Sequence, residues 1–243
     1  MVKCENVVVF DLDETLGHFV QLGVFQDVIE KTLDITLNDE EFFELLDLYP
    51  EFLRPNIMNI LKLICVKKKK KKCAKIIIYT NNQGPKEWAD RIKKYFESKL
   101  KTKCFDQIIA AYQVNGKKVE QCRTSHDKSY SDLLACTKLS PETRICFLDD
   151  QYHPKMEHDN VVYINLKPYS FTLPFEEMTL RFMKKNNLED PRFFQALYTN
   201  CSRYNFKVNE KSETEQNVDE AVGKRVYKHL RQFLKKYLYI YIL

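Results

Sequence analysis

The 243-residue chain has no apolar run of about 18 residues, the length a helix needs to cross a bilayer. Its N-terminus also lacks the basic flank, apolar stretch and small-residue cleavage site of a secretory leader. These absences predict a soluble, intracellular protein, cytoplasmic or nuclear. No Cys-x-x-Cys occurs. The eight cysteines (Cys4, Cys65, Cys73, Cys104, Cys122, Cys136, Cys146 and Cys201) fall at irregular spacings, which predicts reduced structural thiols rather than disulfides or zinc. Cys122 and His126 form only an isolated Cys-x-x-x-His, short of a zinc ligand set. The single tryptophan, Trp88, falls in a helical pattern that assigns it to the core, and no internal repeat is present.

What is present suits one α/β domain with an appendage or two small domains, since 44% of the residues are apolar. The net charge of +5 is smaller than the contribution of one run, Lys67 to Lys72, so the rest of the chain is slightly acidic. A second basic concentration lies near the C-terminus, at Lys224, Arg225, Lys228, Arg231, Lys235 and Lys236. Basicity is therefore local and does not mark the whole domain as a nucleic-acid binder. The lysine run lies between a helical pattern and the start of an apolar strand, which predicts a solvated loop. A targeting or docking signal is the alternative.

Apolar runs rich in β-branched residues recur at Val7 to Phe10, Ile76 to Tyr79, Phe105 to Ala110, Arg144 to Leu148 and Val161 to Ile164. Helical patterns separate most of them, which predicts a parallel sheet with helices on both faces. Pro55 and Pro85 are expected to open helices. Residues 20 to 50 read as a small insertion in which Asn38 or Asp39 caps a short helix. The expected organisation is a core over residues 1–173 and a helical extension over 174–243. In the extension two helical patterns are followed by a polar linker, "NEKSETEQNVDE", and an amphipathic basic helix from about Val218. One face of that helix carries Val218, Val222, Val226, Leu230, Phe233, Leu234 and Tyr237, to be packed on the body or on a partner. The closing "YLYIYIL" is too short to span a bilayer; surface attachment is the minor alternative.

The chemistry concentrates where the apolar runs end. Asp11 and Asp13 follow "VVVF" two residues apart, so an extended segment points both the same way. Asp149 and Asp150 follow "ICFL", and Thr80, Asn81 and Asn82 follow "IIIY". In an open parallel sheet those strand ends share the edge where ligands bind. Carboxylates gathered there must meet a cation, because burying one unpaired costs several kcal/mol. Several together predict a hard divalent ion of the Mg²⁺ kind, with neutral donors beside it for phosphate oxygens.

These residues carry a resemblance. Asp11, Asp13 and Thr15 match the Asp-x-Asp-x-Thr of the haloacid dehalogenase superfamily, Thr80 its strand-end Thr, and Asp149 with Asp150 its acidic pair, in the family's order. The family's lysine is best matched by Lys128, 21 residues before Asp149, with Lys155 and Lys118 as weaker candidates. The resemblance spans about residues 5 to 166 and implies a Rossmann-like parallel sheet and a Mg²⁺-dependent phosphatase without a large cap domain. It also implies roles: Asp11 as the nucleophile that forms an aspartyl-phosphate, Asp13 as acid and base, and Thr80, Asn81 and Lys128 as phosphate ligands. The metal site it implies draws on Asp11, Asp13, Asp149 and Asp150.

Within that superfamily "DLDETLGHF" is similar to the opening motif of the RNA polymerase II C-terminal-domain phosphatases, the NLI-interacting-factor-like family. "FLRPNIMNILKLI" resembles their Arg-Pro helix. The chain departs from them in reading Asp-Asp-Gln-Tyr at the acidic motif and Asn-Asn after Thr80. "TNNQG" is instead similar to the second motif of polynucleotide 3′-phosphatases. The 48 residues from Thr80 to Lys128 leave no room for a large cap. An uncapped member implies a macromolecular substrate, more readily a phosphoserine or phosphothreonine protein than a nucleic-acid 3′-end. A non-catalytic binding protein that keeps the fold is the remaining alternative. His18 either touches substrate or packs in the turn.

Overall fold

The structure, a computed structural model, describes residues 5–204, 206–208 and 211–235. In chain order the elements begin with β1 (Asn6–Phe10), α1 (Val20–Leu33), α2 (Asp39–Asp47), α3 (Ile57–Lys69), β2 (Lys75–Tyr79) and α4 (Lys86–Leu100). They continue with β3 (Gln107–Ile109), β4 (Gln113–Val114), β5 (Lys117–Lys118), α5 (Tyr130–Thr137), β6 (Arg144–Asp149) and β7 (Val161–Asn165). Three helices follow: α6 (Phe175–Lys185), α7 (Pro191–Ser202) and α8 (Glu213–Phe233).

The fold is α/β. Five parallel strands pair in the order β3-β2-β1-β6-β7, and β4 and β5 form a separate small hairpin. Successive side chains on a strand face opposite ways, so the central strands are apolar throughout because both faces are covered. Val8, Phe10, Ile76, Ile78, Cys146 and Leu148 enter a large cluster with residues of α1–α4 and α6–α8. Val7, Val9, Ile77, Tyr79, Ile145 and Phe147 enter a smaller one with Leu133 of α5, Leu139 and Met156.

The insertion is more helical than its sequence suggests. Asn38 caps α2 as expected: its Oδ1 accepts from the Glu40 and Glu41 amides at 2.9 and 3.0 Å, while Glu41 accepts from the Asn38 amide at 2.8 Å. Helix α1 has no such signal, since Phe19 precedes it without a side-chain cap. It is stabilised by packing instead. The buried Gln21 amide exchanges two hydrogen bonds with the Leu173 backbone at 2.7 and 2.9 Å, and the Phe25 ring meets Tyr49, Phe175 and Phe182. Residues before and after 174 thus share one hydrophobic cluster. Trp88 stands partly buried against that cluster, edge-on to Phe42 at 5.5 Å.

Several expectations are corrected. Pro55 and Pro85 precede their helices rather than occupying the first turn: Pro85 is the residue before α4, and Asn56, at φ 68°, intervenes before α3. Eight of the twelve residues of the expected polar linker, Glu213 to Glu220, are helix, because Ser212 and Glu215 form a capping box that starts α8. On α8, Val226, Leu230, Phe233 and Leu234 are buried and Val222 is partly so, but Val218 is exposed; Tyr237 and the terminal "YLYIYIL" lie outside the described residues. Gly223 lets α8 approach α3, since a Cβ there would stand 2.3 Å from the Pro55 carbonyl oxygen. The cysteines are not all thiols: Cys65 pairs with Cys104 and Cys122 with Cys136. Their separations of 39 and 14 residues are closed by the fold, with Cα atoms 5.7 and 5.1 Å apart. Cys73, Cys146 and Cys201 are free and buried. No helix among the described residues is long and apolar enough to cross a membrane.

Candidate active site

The parallel register brings the ends of β1, β2 and β6 to one edge of the sheet. Asp11 continues β1, its amide donating to the Leu148 carbonyl at 2.8 Å. Asp149 closes β6, and Thr80 follows β2. Lys128 arrives from the other side, one residue before Ser129, whose hydroxyl caps α5 through the Asp132 amide. The Lys128 Nζ donates to Asp11 Oδ1 at 2.5 Å and to Asp149 Oδ2 at 2.7 Å. All three residues are withdrawn from solvent, at 7% exposure for Asp11 and 1% each for Lys128 and Asp149. Asp11, Asp149 and Asp150 offer oxygens that lie within 4.8 Å of one another.

Asp13 faces the same cleft from a different partner. Its Oδ2 accepts from the Asn82 amide at 2.7 Å, and its buried Oδ1 has no partner. The backbone amide of Asn82 donates to Thr80 Oγ1 at 2.9 Å, leaving the Thr80 hydroxyl proton to point elsewhere. Asn81 lines the cleft with a buried, unpartnered Oδ1. Asn81 is the asparagine expected among the phosphate ligands, but its neighbour Asn82 is the one that contacts Asp13, and nothing in "TNNQG" distinguishes the two. Thr15 Oγ1 donates to Asp150 Oδ1 at 3.1 Å, tying the first motif to the last.

Two buried arginines hold the loops that carry these groups. Arg54 donates to the carbonyls of Thr15 (2.7 Å), Glu14 and Lys167 (2.9 Å), so the turn after β1 is bound to the segment after β7. Arg123 donates to the carbonyls of Thr80 at 3.1 Å, Ala110 at 2.9 Å and His126 at 2.9 Å. It thereby joins the ends of β2 and β3 to the approach to Lys128. Arg54 was legible within the Arg-Pro motif; Arg123 carried no signal. Gly17 sits under the first turn, where a Cβ would meet the Phe52 carbonyl oxygen at 2.4 Å.

Of the other candidates, His18 packs in that turn, its amide donating to Phe52 and its Nδ1 lying 3.6 Å from Glu14. Burial lowers its pKa from the ordinary value. Lys155 pairs with Asp127 on the surface, and Lys118 lies on β5 over the Tyr112 ring, so Lys128 is the lysine of the cluster. His153, which the sequence did not single out, stands 3.4 Å from Asp149 Oδ2. Cys122 is held in its disulfide and the His126 ring is edge-on to Tyr112, which ends the Cys-x-x-x-His reading.

Burial dominates the electrostatics. It pushes the Asp11 carboxyl up to about 7 against the opposing charge of Lys128. Burial likewise raises Asp13, opposed by the Asn82 hydrogen bond, and raises Asp150, with the Asp149 charge adding to it. Asp149 is buried too, yet hydrogen bonds from His153 and Lys128 outweigh burial and hold it below the usual carboxylate range. For Lys128 the two acids outweigh burial and raise its pKa. Four carboxylates face one ammonium across a cleft of about 250 Å³. A hard, oxygen-seeking cation fits this donor set, which is short of positive charge and holds the unpartnered Asp13 oxygen. No family model, curated protein or solved structure matches the chain.

Proposed function

We propose that the chain is a Mg²⁺-dependent phosphomonoester hydrolase that works through an aspartyl-phosphate. The observation that carries the reading is the buried Lys128 ammonium, hydrogen-bonded to Asp11 and Asp149, at a sheet edge that also presents Asp13, Thr80 and Asp150. A fold that merely binds has no need to bury these charges, because the desolvation of each ion costs several kcal/mol.

In this reading an Asp11 oxygen attacks phosphorus, the bond from phosphorus to the substrate oxygen breaks, and Asp13 gives its proton to that leaving oxygen. The raised pKa of Asp13 suits the acid role. In the second half Asp13 takes a proton from water as the water oxygen attacks the phosphoryl group and frees Asp11. Lys128, Thr80 and Asn81 hold the phosphoryl oxygens, and the ammonium counts most as charge redistributes in the transition state. Asp11, Asp13, Asp149 and Asp150 would hold a divalent ion, which would supply the positive charge a carboxylate needs to approach a phosphate dianion.

The substrate is a phosphorylated macromolecule, because no domain among the described residues covers the edge. A phosphoserine or phosphothreonine protein is favoured over a nucleic-acid 3′-end. The rim adds the acidic Glu14, while Lys67 to Lys72 lie at the opposite end of the sheet, where the Lys72 carbonyl accepts from Asn6 at the start of β1. Hydrolysis of an aryl phosphate with Mg²⁺, followed in the purified full chain, tests the reading. Turnover that disappears in Asp11→Asn supports it, and an inert wild type contradicts it. Parallel assays on phosphoserine peptides and 3′-phosphorylated oligonucleotides rank the two substrate classes.

A further inference from the structure

Strand β7 lies at the edge of the sheet and pairs only with β6 among the described residues. Flanking bonds set the phase of its ladder: the Ile145 amide donates to the Asn160 carbonyl and the Leu166 amide to the Asp149 carbonyl, both at 2.8 Å. Residues of a parallel ladder alternate in direction. Val162 and Ile164 therefore turn their backbone groups to β6, while Tyr163 and Asn165 turn theirs outward.

Between that outward row and α8 runs a groove of about 470 Å³. Its floor is apolar, from Val162 and Ile164 on one side and Val222 and Val226 on the other; Arg225, His229 and Lys167, the last paired with Asp219 at 3.1 Å, give it a basic rim with no carboxylate in the lining. Val162 is 46% exposed, unusual for a branched apolar side chain on a strand. Arg225 makes no ion pair among the described residues. The upper end of the groove reaches the candidate active site, because the Asn165 side chain donates to the carbonyls of Asp149 and Asp150 at 3.3 and 3.1 Å.

We propose that the groove between β7 and α8 docks an extended acidic segment of the protein substrate as a sixth strand of the sheet. This rests on the phosphoprotein reading and adds to it where the substrate chain lies. The outward amides and carbonyls of Tyr163 and Asn165 pair with the peptide backbone. The guest side chains turned toward α8 are every second residue; an apolar one falls on the valine floor, and acids two positions to either side of it meet Arg225 and His229. A basic rim alone would also attract a polyphosphate backbone, but that chain has no amides to continue a ladder.

The probe is a fluorescent peptide in which Glu and Val take turns at every second position with Thr between them, titrated into the full wild-type chain by anisotropy. Two further versions carry N-methyl groups on alternate residues, one in each register. Binding of the parent and of one methylated register, with loss of the other, is the expected result, since only one register faces the β7 edge. Arg225→Glu is expected to weaken binding roughly tenfold while leaving aryl-phosphate hydrolysis unchanged. Equal binding of all three peptides would show charge attraction without strand addition and overturn the proposal. So would slow exchange of the Tyr163 and Asn165 amides in the free protein, which would mean that the chain's own residues 236–243 or a second copy already fill the edge. A chain that binds the peptide in one register but hydrolyses nothing loses the phosphatase reading alone; one that hydrolyses but does not bind loses the docking proposal alone.

Discussion

The two ends of one sheet carry charge in opposite ways. At the amino end six consecutive lysines, Lys67 to Lys72, finish α3 and lead toward β2, and Lys69 to Lys72 are exposed. Lys68 turns back, bonding both oxygens of Asp106 at 2.7 and 2.6 Å, while Asp106 accepts from the Ile76 amide. At the carboxyl end the charged groups come from distant parts of the chain, and Asp11, Lys128 and Asp149 are almost sealed from water. Charge density along the sequence marks the first end, and charge burial marks the second. Only burial demands an explanation, because a solvated lysine costs nothing to keep charged and a buried ion must be matched.

The sharpest way to break the contrast is Lys128→Met. It leaves Asp11 and Asp149 facing each other without a cation, and is expected to destabilise the metal-free protein by roughly 3–5 kcal/mol in urea unfolding. An unchanged midpoint would mean that the ammonium is not what holds the cluster together. A smaller effect comes from pH. The folded chain keeps the Asp11 proton up to about 7, whereas its ordinary value is 3.8. The folded state thus binds more protons across that window, and the Asp11 contribution to stability falls as pH rises. With chelator present, the stability of wild type relative to Asp11→Asn is expected to decline between about pH 4 and pH 7; an increase would contradict the burial argument. Replacing Lys67, Lys69 and Lys70 with Gln is expected to move stability by no more than about 0.5 kcal/mol per substitution and to leave aryl-phosphate turnover unaltered. A large loss of turnover would connect the two ends after all.

The same physical distinction decides what was legible in the sequence. The three central strands, β1, β2 and β6, were readable because a strand buried on both faces is a nearly unbroken apolar run, and the polar residues that end such runs, Asp11, Thr80 and Asp149, stand out against it. The sheet edge followed from parallel pairing. Lys128 was found through a resemblance rather than a pattern, and its burial between two acids has no sequence signature. Helix α1 was missed because it lacks a cap and is held by Gln21 and Phe25 contacts to residues far along the chain. The start of α8 was hidden in polar composition although Ser212 and Glu215 have capping-box spacing. The disulfides and the three carbonyls gathered by Arg123 are long-range closures that local spacing does not encode.

The central claim is that Asp11 is a nucleophile and not merely a buried acid. The most direct test is to mix the full chain with Mg²⁺ and an aryl phosphate carrying a radiolabelled phosphoryl group, quench in acid, and map the label. The account predicts label on the peptide containing Asp11, absent from Asp11→Asn. Turnover without label on that peptide, or no turnover by the wild type, would contradict it.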